Sequence, residues 1–116
     1  MSKRAQFQRR IHDFCLSFPG TIVVLQFGHP FFKWKDKPFA IYSDEAGEKL
    51  SIKVEKQVQP LFLKDSRFEK TPYVGKHGWV TLTLDSKVNM EEIEELIRGS
   101  YQFVSAKSQK ANKKQK

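Results

Sequence analysis

Apolar residues first recur at Phe7, Ile11, Phe14, Cys15 and Phe18, in steps of four, three, one and three. That spacing lines one face of a helix over residues 4–18, which Phe18-Pro19-Gly20 stops. IVVLQF (22–27) reads as a short strand or an apolar connector. Beyond it the period drops to two. In FFKWK (31–35), Phe32 and Trp34 face one way, and Phe31, Lys33 and Lys35 the other. In FAIYS (39–43), Phe39 and Ile41 alternate with Ala40 and Tyr42. In KLSIKVE (49–55), Leu50, Ile52 and Val54 alternate with Lys49, Ser51, Lys53 and Glu55. Such alternation predicts an antiparallel sheet covered on one side. KDK and DEAGE supply its turns, giving a meander of two hairpins.

Residues 57–66 read as a short helix with Pro60 in its first turn. A loop follows from Ser66 to Gly78. WVTLTL (79–84) is a further strand, burying Val80, Leu82 and Leu84 and turning Trp79, Thr81 and Thr83 to the other face. The last helix starts near Asn89, where Asn89 and Glu92 fit the N-cap and N3 places of a capping box. Ile93, Leu96, Ile97, Tyr101 and Val104 form its apolar stripe, and Glu94 is spaced to pair with Arg98. The pattern as a whole is α+β: an antiparallel sheet of about four to five strands packed on N- and C-terminal helices. Residues 1–106 make one domain, and 107–116 a basic tail expected to fray or be disordered.

Charge changes the picture at the ends only. The chain of 116 residues has net charge +8. Residues 1–10 hold four cations and residues 107–116 hold five, while the body between them sets 12 basic against 13 acidic residues. A basic tail attracts any polyanion without selecting among sequences. The lone cysteine, Cys15, makes no intramolecular disulfide and no metal site, and belongs with the core. The apolar runs are too short to span a bilayer, and no secretory pattern follows the basic N-terminus. A cytoplasmic, monomeric protein without metal, cofactor or membrane contact is expected.

Two constellations carry candidate chemistry. Lys33, Lys35, Lys49 and Lys53 point outward from the sheet, with Tyr42 and Trp79 beside them. Lysines neutralise phosphates while rings stack on unpaired bases, so such a face suits nucleic acid. The competing reading is a solvated strand face, where lysine guards against edge pairing. The second constellation is PYVGKHGWV (73–81). Gly75 and Gly78 permit positive φ, and successive amides there can form an anion-binding nest with Lys76 and His77 adding donors. Its alternative is a tight turn delivering Trp79 into its strand. His12, His29 and His77 share no ligand spacing. Ser100 and Ser105 have no evident base nearby in sequence, so no nucleophile set is legible.

FPG (18–20), FGHPFFKWKDKPFA (27–40), LSIKV (50–54), PYVGKHGWV (73–81) and LIRGSYQFVSAK (96–107), taken in order, resemble the MmcQ/YjbR family, also described as double-wing. The resemblance covers nearly the whole chain up to Lys107. It implies an α+β fold akin to frataxin and a DNA-binding label derived from two wing-like hairpins. As wings, the tips differ: KWKDKP is basic, whereas SDEAGE carries Asp44, Glu45 and Glu48. The functional expectation is a non-enzymatic module that binds nucleic acid, DNA before RNA, through Lys33, Lys35, Lys49, Lys53, Lys76, His77, Trp79, Lys107 and Lys110. The alternatives are a protein-interaction or regulatory module using loop 66–78 with the surface around Trp79 and Phe68, and a small-ligand site near Gly75–Gly78. A pocket joining His77 to a carboxylate would point to the latter.

Overall fold

The computed structural model describes residues 3–44, 47–72, 74–85 and 88–114. Helix α1 (Lys3–Leu16) leads into strands β1 (Thr21–Gln26), β2 (His29–Trp34), β3 (Lys37–Ser43) and β4 (Lys49–Lys53). Helix α2 (Gln59–Leu63), strand β5 (Phe68–Lys70), a 3-10 turn (Gly75–His77), strand β6 (Trp79–Thr83) and helix α3 (Met90–Lys114) follow. The strands form one antiparallel sheet of six, in the order β1-β2-β3-β4-β6-β5. The expected class holds with a larger sheet. IVVLQF resolves as a strand, and β5 arises inside the expected loop 66–78 because Phe68 lies opposite Leu82 and is drawn into the core.

Cross-strand register sorts the side chains. Phe32, Ala40, Ile52 and Val80 lie in one row, and Tyr42, Leu50, Leu82 and Phe68 in the next. All eight are buried, and Ile11 and Cys15 of α1 and Ile93 and Ile97 of α3 close over them without exposure. Burying such a side chain fully contributes about 1.5–3 kcal/mol, so this face holds the fold together. Tyr42 therefore does not stand beside outward lysines. It is buried, and its hydroxyl donates to Glu48 Oε2 at 2.8 Å, the partner that makes burial tolerable.

Phe39 and Ile41 do not share a face. Phe32 pairs with Ala40 but Lys33 with Pro38, so Phe39 is the extra residue of a β-bulge. The bulge breaks the alternation and puts Phe39 in the core, while Ile41 points out with Phe31. Ser100 of α3 fastens this break. Its Oγ accepts the Lys53 N–H at 3.1 Å and lies 2.6 Å from Phe39 O and 2.8 Å from Lys53 O.

The ends of the helices are also tied. Asn89 Oδ1 accepts the Glu92 N–H at 2.8 Å, as the capping pattern predicted. Glu92 itself turns to Arg67, which grips it through two bonds of 2.9 and 2.7 Å and reaches Asp65 at 2.8 Å. Arg98 pairs with Glu95 rather than Glu94, which faces Arg10 at 3.8 Å. Phe18 stacks on Tyr101 at 4.4 Å, and the Tyr101 hydroxyl donates to Pro19 O at 2.8 Å, so FPG and the closing SYQ meet in space. Helix α3 is described as far as Lys114 and so takes in residues 107–114 of the basic tail. Among the described residues no helix is long and apolar enough to cross a membrane, and no group of His, Cys, Asp and Glu suits a metal ion.

Candidate functional site

The GKHG turn is built by steric demand. Gly78 has φ 96, and a Cβ there would lie 2.5 Å from Val54 O. Both conditions reject any side chain. The close approach lets Gly78 O accept the Val54 N–H at 2.7 Å, which joins the turn to the end of β4. A Cβ on Gly75 would meet Lys70 Cγ at 2.5 Å. The buried Gln59 amide then holds both ends of the turn, donating to Gly75 O at 2.8 Å and Trp79 O at 3.0 Å.

The turn is not an anion nest. The amides of Gly75, His77 and Gly78 are already used, donating to Thr71 O, Val74 O and Gly75 O at 2.8, 2.9 and 3.0 Å. What the turn offers is side chains. Lys76 and His77 are exposed. His77 lines a cavity of about 560 Å³ with Lys53, Lys56, Gln57, Glu55 and Phe103. Ala106 of α3 forms its far wall, one residue before Lys107. Lys53 and His77, 24 positions apart in sequence, thus share one concave corner because Gly78 stitches the turn to β4. The side chains of Lys107 and Lys110 lie outside the described residues.

Sequence reasoning missed Lys56 and Gln59. Lys56 closes KVEK (53–56), the run that leads out of β4, a signal that was readable. Gln59 carries none, since its role depends on two carbonyls that meet only in the fold.

The outward face of the sheet differs from expectation. Its central row runs Val24, Phe31, Ile41, Ser51, Thr81 and Glu69 across all six strands. The lysines stand off this row, each in different surroundings. Lys33 is half-buried, Lys35 sits 4.6 Å over the Trp34 ring, and Lys53 belongs to the corner described above. Lys49 lines the outward groove and pairs with Glu69 at 3.4 Å. Trp79 is only 4% exposed and presents no ring for stacking on a base. Phe68 is 8% exposed, so the apolar surface expected around these two residues is interior.

In place of a cationic plane there is a groove of about 710 Å³. Phe27, His29, Phe31 and Ile41 line one side, and Thr71, Pro72 and Val74 the other. Its floor is a hydroxyl ladder: Ser51 Oγ lies 2.8 Å from Thr81 Oγ1, which lies 2.9 Å from Thr71 Oγ1.

Nucleophiles are engaged elsewhere. Burial of Cys15 pushes its thiol far above the ordinary range, so no thiolate forms near neutral pH. The Ser100 hydroxyl is buried among the three backbone partners given above.

The YjbR family model matches residues 16–103 of the chain. This protein belongs to the YjbR family. The matched span runs from the end of α1 to the second half of α3, and so takes in the whole sheet, the GKHG turn and Ser100. A solved structure agrees: Deinococcus radiodurans protein DR2400, described as carrying domain DUF419, is similar at TM-score 0.76 and 25% identity over 93% of this chain and 85% of that one. No curated protein matches this YjbR-family chain.

Proposed function

We propose that this YjbR-family chain is a non-catalytic nucleic-acid-binding module that holds the phosphate backbone at the GKHG corner. The observation that carries the reading is the convergence of Lys53, Lys56 and His77 on one open cavity beside the exposed Lys76. Phe103 adds an aromatic surface to the same cavity. Three lysines and a histidine at one corner can neutralise adjacent phosphates and release their counterions. Glu55 on the same wall tempers the charge, which argues for contact with the backbone and not for tight capture of a free anion. Because the contacts are to phosphate, binding is weakly selective in sequence. DNA is the first ligand to try, RNA the second.

The test is affinity for a short DNA duplex as a function of salt, comparing wild type, Lys53→Gln with Lys76→Gln, and Lys107→Gln with Lys110→Gln. Each lost phosphate contact lowers the slope of log K against log salt by about 0.9. The corner pair lowers it by about 2 in this reading. An unchanged slope for the corner pair with loss of binding in the tail pair places the contact on the tail alone and ends the proposal. The joining of His77 and Glu55 in one cavity also keeps a small-ligand reading in view. Displacement of bound DNA by a mononucleotide, and not by sulfate, favours it.

A second reading has an observation of its own. Thr71, Pro72 and Val74 of the 66–78 loop form one wall of the outward groove, so this loop, without Trp79, is the protein-interaction element. Co-purification of a protein that resists nuclease and is lost in Val74→Asp supports it.

A further inference from the structure

A sheet has two edges, and this one protects them unequally. β5 is three residues long and carries Glu69 and Lys70, the short and charged form of edge that resists pairing. β1 is six residues long, TIVVLQ, with no charge and no proline. Among the described residues the exposed large hydrophobics are Ile22 at 53%, Leu25 at 75%, Phe27 at 88% and Leu61 at 61%. Three of these four lie on β1 or its tip. Phe27 adds a second anomaly, because it occupies the left-handed region at φ 55 with Gly28 at φ 80. Asparagine or aspartate ordinarily fills that place in a two-residue hairpin. A bulky ring there is strained, and its tilted contact with Phe31, 6.4 Å between centroids, still leaves it 88% exposed.

We propose that β1 is a homodimer interface, in which the β1 strands of two copies pair antiparallel and continue the sheet across a two-fold axis. The strand suits its own copy as the occupant: Thr21–Gln26 is uncharged, so pairing it with itself opposes no like charges, and the excess charge lies in residues 1–10 and 107–116 rather than in the nearly neutral body. Hydrogen-bond parity supplies the register. The closing pair Gln26↔His29 of the hairpin, and Gly20 O accepting the Lys35 N–H at 3.4 Å, mark the even-numbered residues as those bonded to β2. Val23 and Leu25 therefore turn their N–H and C=O groups to the open edge. Pro30 stands opposite Leu25, where no ladder bond to β1 is needed. A two-fold axis that keeps each face continuous must pass through a residue. Centred on Val24, it sets Val23 of one copy opposite Leu25 of the other, uses both edge residues of each chain, and brings Phe27 beside Thr21. The strand pair is small against the 1,200–2,000 Å² of a standard interface, so the dimer is weak and forms only as concentration rises.

The test is mass in solution by light scattering and sedimentation across a concentration series, with full-length protein. Wild type shifts from 13.6 kDa towards twice that mass as concentration rises. Leu25→Lys sets a charge on the open edge and weakens the dimer at least tenfold. Leu25→Pro deletes an edge-facing N–H while sparing β2, and does the same. Circular dichroism confirms that both stay folded. Mild oxidation cross-links Val24→Cys, whose Cα atoms stand about 4.5 Å apart across the axis in a non-hydrogen-bonded pair, and leaves Ile22→Cys uncross-linked. Cys15 does not confuse the readout, being fully buried. A monomer at every concentration, a dimer indifferent to both Leu25 variants, or equal cross-linking at Ile22 and Val24 overturns the proposal.

Discussion

The GKHG corner and the β1–β2 hairpin are both turns of positive φ, and they are held in opposite ways. At the corner, Gly78 at φ 96 is clamped by Val54, and the buried Gln59 amide bonds both flanking carbonyls. At the hairpin, Phe27 at φ 55 is 88% exposed and a Cβ on Gly28 would meet nothing within 4 Å. The first turn is over-determined from inside the molecule. The second holds an unfavoured residue whose ring touches Phe31 in the monomer yet stays largely exposed. Positive φ alone therefore does not distinguish a structural turn from one shaped for something outside it; the surroundings do.

The sharpest way to break this contrast is Gly78→Ala. It combines left-handed strain with a clash at Val54 O, and costs about 3 kcal/mol or more in denaturant unfolding. A cost below about 1 kcal/mol would show that the corner is not clamped. Gln59→Leu comes next. It strips the amide donor from two carbonyls in a buried setting and costs about 1–3 kcal/mol, most of it recovered if water enters. At the hairpin the sign reverses. Phe27→Asn relieves left-handed strain at a site that buries little, and stabilises the monomer by about 1 kcal/mol, measured below the dimer concentration.

The smallest effect concerns neither turn and serves as a control between them. Arg67 donates to Asp65 and holds its carboxyl below the ordinary carboxylate range, and the two acids in turn raise Arg67 further. A depressed folded value means stabilisation that is present above the unfolded pKa of about 3.9 and is lost as pH falls through the folded one. The gap in melting temperature between wild type and Asp65→Asn is therefore small at pH 6 and closes as the solution is acidified. A gap that widens on acidification contradicts the assignment.

Much of the fold was legible in the chain. The helical stripes of α1 and α3, the alternation of β2 and β4, the N-cap at Asn89 and the burial of Cys15 follow from side-chain chemistry at particular positions. The stripes, the alternation and the buried cysteine answer to the removal of apolar surface from water, and the cap to a bond closed within one helical turn. Much less of the site was legible. Of the outward lysines, Lys53 alone lines the cavity with His77, while Lys49 is paired with Glu69 and Lys35 lies over Trp34. Alternation says that a lysine points out of a sheet, but not which row it stands in or what lies across from it.

The sequence by itself determined the α+β class, the inward faces of β2, β4 and β6 and the family, because those depend on periodicity and on motifs read in order. Tertiary structure alone decided the bulge at Phe39, the burial of Trp79, the strand β5 and the corner where Lys53, Lys56 and His77 converge. Each of these turns on partners far apart in the chain: Phe39 with Ser100, Val54 with Gly78, Phe68 with Leu82. A contact made across a folded sheet leaves no period in the sequence, since its energy depends on distance in space and not on distance along the chain.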